Sequence, residues 1–234
     1  MGGACGKRQG QLVYRSGLTP REFYEQKLEN QLAETYEVFG LTEAQGKRFF
    51  DYFVAIDADG GGTVDQEEFH EYFHLTMTPF SERVYGALDL QDTGELNFQQ
   101  FLIGVWNLNT LDHESLVKYI FDIFDADGGG ELDIAEVDAL CRMLYNTEET
   151  ADNVKEVIKA MDTDGDGTVS LGELVAYSLQ YPDLLKPAID LQATLRKDMF
   201  GTSLWKRLSK RRKKLHGAEK SVMDILLTLR VEQK

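Results

Sequence analysis

The sequence predicts an all-α fold: four helix–loop–helix units joined as two paired lobes, with extra helices at the N- and C-terminal ends. Three observations predict it. A twelve-residue acidic loop recurs, beginning at Asp57, Asp89, Asp125 and Asp162, at intervals of 32, 36 and 37 residues. Apolar residues at helical spacing flank each copy. Each loop also carries an apolar residue at its eighth place (Val64, Leu96, Leu132, Val169), suited to a short strand. An isolated unit would expose both its apolar strip and its strand. Pairing the first unit with the second, and the third with the fourth, covers both with short antiparallel loop strands.

The elements follow in order. Residues 1–17 are Gly-rich and unpatterned and read as a flexible tail. Residues 18–40 form a leading helix: Thr19 caps it, Pro20 sits first, and Glu22 reaches back. Phe23, Leu28, Leu32, Tyr36 and Phe39 mark its apolar side, and it runs to about Gly40. Residues 41–109 hold the first pair of units. Thr42 and Gln45 make a second capping box, and Phe49, Phe50, Phe53 and Ile56 lead into the first loop. The helix leaving that loop is expected from Glu67 to about Leu75. Its His70 and His74 lie one turn apart, but no third ligand accompanies them, so solvated or partly packed histidines are expected rather than zinc. Thr78-Pro79 opens the helix into the second loop, and Phe98 to Leu108 leaves it. Residues 110–182 hold the second pair, and residues 183–234 form a basic helical tail.

The loop at Asp162 explains what the repeat is for. Calcium is a hard cation that takes six to eight oxygen ligands. Asp162, Asp164 and Asp166 offer carboxylates, Thr168 a carbonyl, Ser170 a direct or water-mediated contact, and Glu173 two closing oxygens. Gly167 permits the sharp turn, and the whole pattern matches a calcium loop at every ligand place. The loop at Asp57 offers Asp57, Asp59, Thr63, Asp65 and Glu68, with Gly61 in place of the third side-chain ligand. The loop at Asp125 nearly repeats it, with Asp125, Asp127, Glu131, Asp133 and Glu136, and Gly129 at the gap. In the loop from Asp89 to Gln100, Gln91, Thr93 and Gln100 replace ligands, and a neutral Gln is a poor closing group. Two to three calcium sites are therefore expected, with residues 89–100 a silent partner loop.

Composition narrows the function. The chain has 234 residues, 42% of them hydrophobic, and two cysteines, Cys5 and Cys141. No apolar run approaches a membrane span, and no secretory core precedes the fold. A reducing, cytoplasmic setting is expected. The start, Met1-Gly2-Gly3-Ala4-Cys5-Gly6, half resembles a lipidation signal, which makes Gly2 and Cys5 candidate membrane anchors. Gly6 stands where the acylation pattern wants Ser or Thr. Net charge is −15, yet residues 183–234 hold 13 Lys/Arg against 6 Asp/Glu, which leaves −22 on the remainder. So acidic a body repels nucleic acid. No nucleophile–base set, phosphate-binding glycine loop or catalytic zinc motif appears, so no enzyme is expected.

The tail contrasts with the body. One helix is expected over 183–200, with Leu184, Leu185, Ile189, Leu195 and Phe200. A second follows Gly201, placing Leu204, Trp205, Leu208 and Leu215 among Lys206, Arg207, Lys210, Arg211, Arg212, Lys213 and Lys214. A third stripe runs through Val222, Ile225, Leu226 and Leu229. A basic amphipathic helix suits an acidic calcium sensor or an anionic membrane surface. Its candidate partners are therefore this chain's own lobes and anionic lipid.

The four loops, with Val84-Tyr85-Gly86-Ala87-Leu88-Asp89 and Phe98-Gln99-Gln100-Phe101-Leu102-Ile103-Gly104-Val105, resemble the calcineurin B-like branch of EF-hand calcium sensors over about residues 42–180. The resemblance implies that calcium reorients helix pairs and opens a groove to the amphipathic helix of a target protein. The departures at Gly61, Gly129 and the second loop, and the long tail, set the chain apart from typical members. Three functions compete: a sensor or regulatory subunit, a calcium buffer, and a constitutive structural adaptor. The tail favours the first and third, since a buffer has no need of it.

Overall fold

The structure, a computed structural model, describes residues 18–89, 93–145, 152–217, 220–222 and 225. Gly2, Cys5, Gln91, Leu226 and Leu229 lie outside the described residues. The fold is all-α. Its helices are α1 (Pro20–Phe23), α2 (Glu29–Phe39), α3 (Glu43–Ile56), α4 (Gln66–Tyr72), α5 (Pro79–Leu88), α6 (Phe98–Thr110), α7 (His113–Phe124), α8 (Ile134–Tyr145), α9 (Asp152–Met161), α10 (Leu171–Gln180), α11 (Lys186–Asp198) and α12 (Thr202–His216). Strands β1 (Val64–Asp65) and β2 (Glu95–Leu96) pair antiparallel, as do β3 (Glu131–Leu132) and β4 (Val169–Ser170). Val64 stands opposite Leu96, and Leu132 opposite Val169, all four fully buried.

The described residues divide into two compact units. Unit one takes in residues 18–75, 85–110 and those from 194 onward; unit two takes in 76–84 and 111–193.

In unit one, Thr19 and Thr42 close the expected capping boxes. The leading segment is not one regular helix. Tyr24–Leu28 is wound as a π turn between α1 and α2. Tyr24, which opens this π turn, and not Phe23, is the fully buried anchor, with its hydroxyl 3.0 Å from that of Tyr36. α2 ends at Gly40, whose φ of 67° is the left-handed cap conformation that glycine adopts without a Cβ penalty. Just before it, Phe39 stacks on Trp106 at 3.9 Å and accepts the indole N–H at its carbonyl. Such a ring pair is worth about 0.5–1.5 kcal/mol beyond its buried area.

α4 stops at Tyr72, short of the expected Leu75. Phe73 leaves helical geometry and His74 is left-handed, with φ 51°. His70 is a packed core residue whose Nδ1 lies 2.7 Å from the Gln66 carbonyl, while His74 is exposed. The two histidines are thus oriented by separate local constraints.

α12 packs on α6 in the same unit. Its inner face is Trp205, Leu208 and Arg212, all buried. Leu215 is not on that face; it is 52% exposed. The Trp205 indole donates to the Met199 carbonyl at 2.7 Å, with its ring edge-on to Phe49 and Phe200. Arg212 donates to the Asn107 side chain and the Thr110 hydroxyl, each at 2.9 Å, and lies 5.0 Å from the Trp106 ring. The Arg211 side chain lies against Gly40, where a Cβ would collide with it.

In unit two, Asp112 caps α7, which packs on α10. Leu116, Val117, Ile120, Phe121 and Phe124 bury their side chains there with Val137, Leu140, Met161 and Leu174. Burial pushes the Cys141 thiol up to about 11, so it is an inert core group. The expected helix over 183–200 is divided: Pro182–Leu185 is a 3₁₀ turn, because Pro182 suits a first turn after Tyr181 leaves helical geometry. Leu184, Leu185, Ala188 and Leu191 are buried, Ile189 faces out, and Gln192 donates to the Leu111 carbonyl at 3.2 Å.

Candidate metal centre

Each loop closes on the helix that follows it through the same device. The residue at place nine is the helix N-cap, and the residue at place twelve reaches back to it. Asp65 with Glu68 and Ser170 with Glu173 form capping boxes. Asp133 with Glu136, and Asn97 with Gln100, exchange the equivalent two bonds. Loop shape and helix start are therefore one structure, each cap worth about 1 kcal/mol.

Three groups of carboxylates result: Asp57, Asp59 and Glu68; Asp125, Asp127 and Glu136; Asp162, Asp164 and Asp166. In each group one oxygen per residue lies within 4.8 Å of the others. In the first loop, Glu68 receives the amides of Ala58 and Asp59, Asp57 that of Gly62, and Asp59 that of Gly61. The other oxygen of Asp57 is buried without a hydrogen-bond partner. Burial pushes this carboxyl up to about 6, against the pull of the Gly62 amide. A buried carboxylate with an unpaired oxygen, in a residue grouped with two further carboxylates, is costly alone and fits a cation.

The third loop repeats the arrangement, with Gly129 and Gly130 donating to Asp125 and Ala126 to Glu136. In the fourth, Asp162 receives Gly165 and Gly167, and Asp166 receives Thr168. Glu173 stands outside the group of three. Its Oε1 accepts from the Thr163 amide and hydroxyl, its Oε2 from those of Ser170. These bonds, the Ser170 and Thr163 amides foremost, hold its carboxyl down to about 2. Gly167 has φ 94°, so the turn at place six requires a residue without Cβ.

Place seven links the loops in pairs. Thr63 donates to Glu95 at 2.9 Å beside β1 and β2, and Thr168 donates to Glu131 at 3.0 Å beside β3 and β4. The carbonyl of Glu131 thus sits on β3, and those of Thr63 and Thr168 one residue before β1 and β4.

The second loop is different in kind. Gln100 turns its amide toward Asp89, donating at 3.3 Å, while Gly94 donates to the other Asp89 oxygen at 2.6 Å. Among the described residues, Asp89 belongs to no group of three carboxylates. Two features escaped sequence reasoning: this neutral closure, and the inward turn of Arg212. The second had a signal, since Arg212 follows Leu208 by four residues and Trp205 by seven, the spacing of one helix face.

The comparisons agree with this geometry. A family model described as an EF-hand domain pair matches residues 114–179, and a second, for the EF hand, matches residues 51–74. The chain is 28% identical over 149 residues to the calcineurin B protein of Naegleria gruberi, covering 62% of this chain and 84% of that protein. It is 28% identical to calcineurin B type 1 of Dictyostelium discoideum over 62% of this chain and 83% of that one. To human calcineurin B type 2 it is 27% identical over 56% and 79%. EF-hand domains imply calcium binding. Paired loops, clustered carboxylates and these matches mark EF-hand calcium-binding units over residues 51–74 and 114–179, in a chain that resembles calcineurin B.

Proposed function

We propose that the chain is a calcium sensor that engages a partner helix through unit one, where its own α12 takes the place of that helix. Three loops carry the calcium: Asp57, Asp59, Asp65 and Glu68 with the Thr63 carbonyl; Asp125, Asp127, Asp133 and Glu136 with the Glu131 carbonyl; and Asp162, Asp164, Asp166, Ser170 and Glu173 with the Thr168 carbonyl. Calcium supplies the positive charge that lets these carboxylates share one site. Each closing Glu caps the helix behind it, so a shift of that carboxylate pulls on α4, α8 or α10. The loop from Asp89 to Gln100 stays silent and serves β1 as a pairing strand.

The observation that carries this reading is the burial of Trp205, Leu208 and Arg212 against unit one. An aromatic, a leucine and a cation on one helical face are the anchors of a helix lying in an apolar groove. A calcium buffer has no use for such a contact. The test uses the full chain carrying Trp205→Ala and Leu208→Ala, and a labelled peptide copying residues 199–216. The variant should take up the peptide, more tightly with calcium, while the unaltered chain should not. A folded, calcium-binding variant that leaves the peptide free in both conditions would remove this reading.

A further inference from the structure

We propose that the outward face of α12 is a docking surface for an anionic phospholipid bilayer. With Trp205, Leu208 and Arg212 turned inward, the helix cannot roll, and Lys206, Arg207, Lys210, Arg211 and Lys214 are held on its exposed side. Residues 206, 210 and 214 form one row and 207 and 211 a second, over about 12 Å of helix at 1.5 Å per residue. No Asp or Glu occurs between Thr202 and His216. Among the described residues, none of the five takes part in an ion pair.

That sets α12 apart from α7, α8 and α11. On three other helices a surface cation pairs with a carboxylate one turn away: Lys118 with Asp122, Arg142 with Asp138, Lys186 with Asp190. A merely solvated face would be expected to follow the same habit. Leu215, 52% exposed at the C-terminal end of the same helix, adds an apolar residue for the headgroup boundary. No helix among the described residues is long and apolar enough to cross a membrane, so the attachment is peripheral.

Lipid is favoured over nucleic acid by size and charge. A polynucleotide extends past a 12 Å patch and meets the acidic remainder of the chain. A fluid bilayer can gather anionic headgroups under a small patch, and charges beyond about 8 Å are screened at physiological salt. The inference does not need α12 to leave unit one, because the face is exposed while the helix is docked.

The experiment is sedimentation of the full chain with vesicles of phosphatidylcholine, with and without phosphatidylserine, at low and high salt. A second protein carries Lys206→Ala, Arg207→Ala, Lys210→Ala and Lys214→Ala, which leaves the inner face untouched. Circular dichroism and calcium titration check that it is folded. The unaltered chain should pellet only with phosphatidylserine and be released by salt. Each charge removed should lower partitioning about fivefold, and the four together several hundredfold. Failure of the unaltered chain to pellet, equal pelleting with neutral vesicles, an unchanged variant, or tighter binding to duplex DNA than to vesicles would each overturn the proposal.

Discussion

Gln100 donates from Nε2 to an Asp89 oxygen at 3.3 Å, where the first and third loops group Asp57 with Glu68 and Asp125 with Glu136. Gln100 and Asp89 are buried, and Gly94 and Thr93 supply Asp89 with further donors. The loop therefore closes by itself. Gln100→Glu would set a second charge against a buried carboxylate and remove its donor. The expected cost is about 1–3 kcal/mol of stability in the calcium-free protein. Calcium stoichiometry should not change, because Gln91 and Thr93 still offer no charge. Thermal unfolding and calorimetric titration read the two effects separately. A gained site would contradict the account of the second loop as silent.

Glu173 differs from Glu68 and Glu136 in that each of its oxygens accepts a hydroxyl, of Thr163 or Ser170, as well as a backbone amide. The loop is thus shaped before any ion arrives. Glu173→Gln puts an NH₂ group against one of these donor pairs and removes the closing charge. Affinity of the fourth loop should fall on the order of a hundredfold. α10 should lose about 1 kcal/mol of N-terminal capping. An unchanged isotherm would show that this loop is not the tightest site.

Local signals were legible in the sequence, and distant ones were not. Thr19 and Thr42 announce their helices because a cap bonds within three residues. Val64, Leu96, Leu132 and Val169 announce their strands because the loop spacing fixes them. His70 read as a surface or half-packed residue, but its ring nitrogen is satisfied within its own turn, so burial costs it little. The π turn at Tyr24–Leu28 has no local signal, and the hydroxyl contact of its first residue is with Tyr36, twelve residues on. Arg212, one of five consecutive cations (Lys210 to Lys214), is turned inward by Asn107 and Thr110 on another helix. Its position on the inner face was readable; its partners were not. The sequence pattern named every member of the three carboxylate groups, while Asp65, Asp133 and Glu173, also expected as ligands, stand outside them.

Arg212 is the polar anchor of α12, and both tryptophans lie beside it in unit one: Trp106 under the guanidinium and Trp205 two turns earlier. Arg212→Leu keeps bulk but removes the bonds to Asn107 and Thr110 and the contact with the Trp106 ring. The expected loss is about 2–4 kcal/mol, from charged hydrogen bonds and a desolvated cation–π pair. Denaturant unfolding followed by tryptophan emission reports on unit one, because the chain has 2 Trp, both there. A midpoint that does not move would assign the docking of α12 to Trp205 and Leu208 alone.

Gly61 and Gly129 are the last case, and their lack of a side chain has a visible reason. In each loop the aspartate two residues earlier folds back onto the glycine amide, at 2.6 Å for Asp59 and 2.7 Å for Asp127. A Cβ would stand 2.8 Å from that carboxylate oxygen, and neither glycine needs a positive φ. The obstacle is the end of a flexible side chain, which can swing toward an ion. Gly129→Asp should therefore add a charged ligand to the third loop and raise its calcium affinity about tenfold. The metal-free form should lose on the order of 1 kcal/mol, because Asp127 gives up its backbone bond. Calorimetry of the single variant, and of one that also carries Glu136→Gln, separates the two effects. The gain should vanish in the double variant, since a third-loop site without its closing carboxylate cannot use the added ligand. A gain that persists would place the new carboxylate's effect outside this loop.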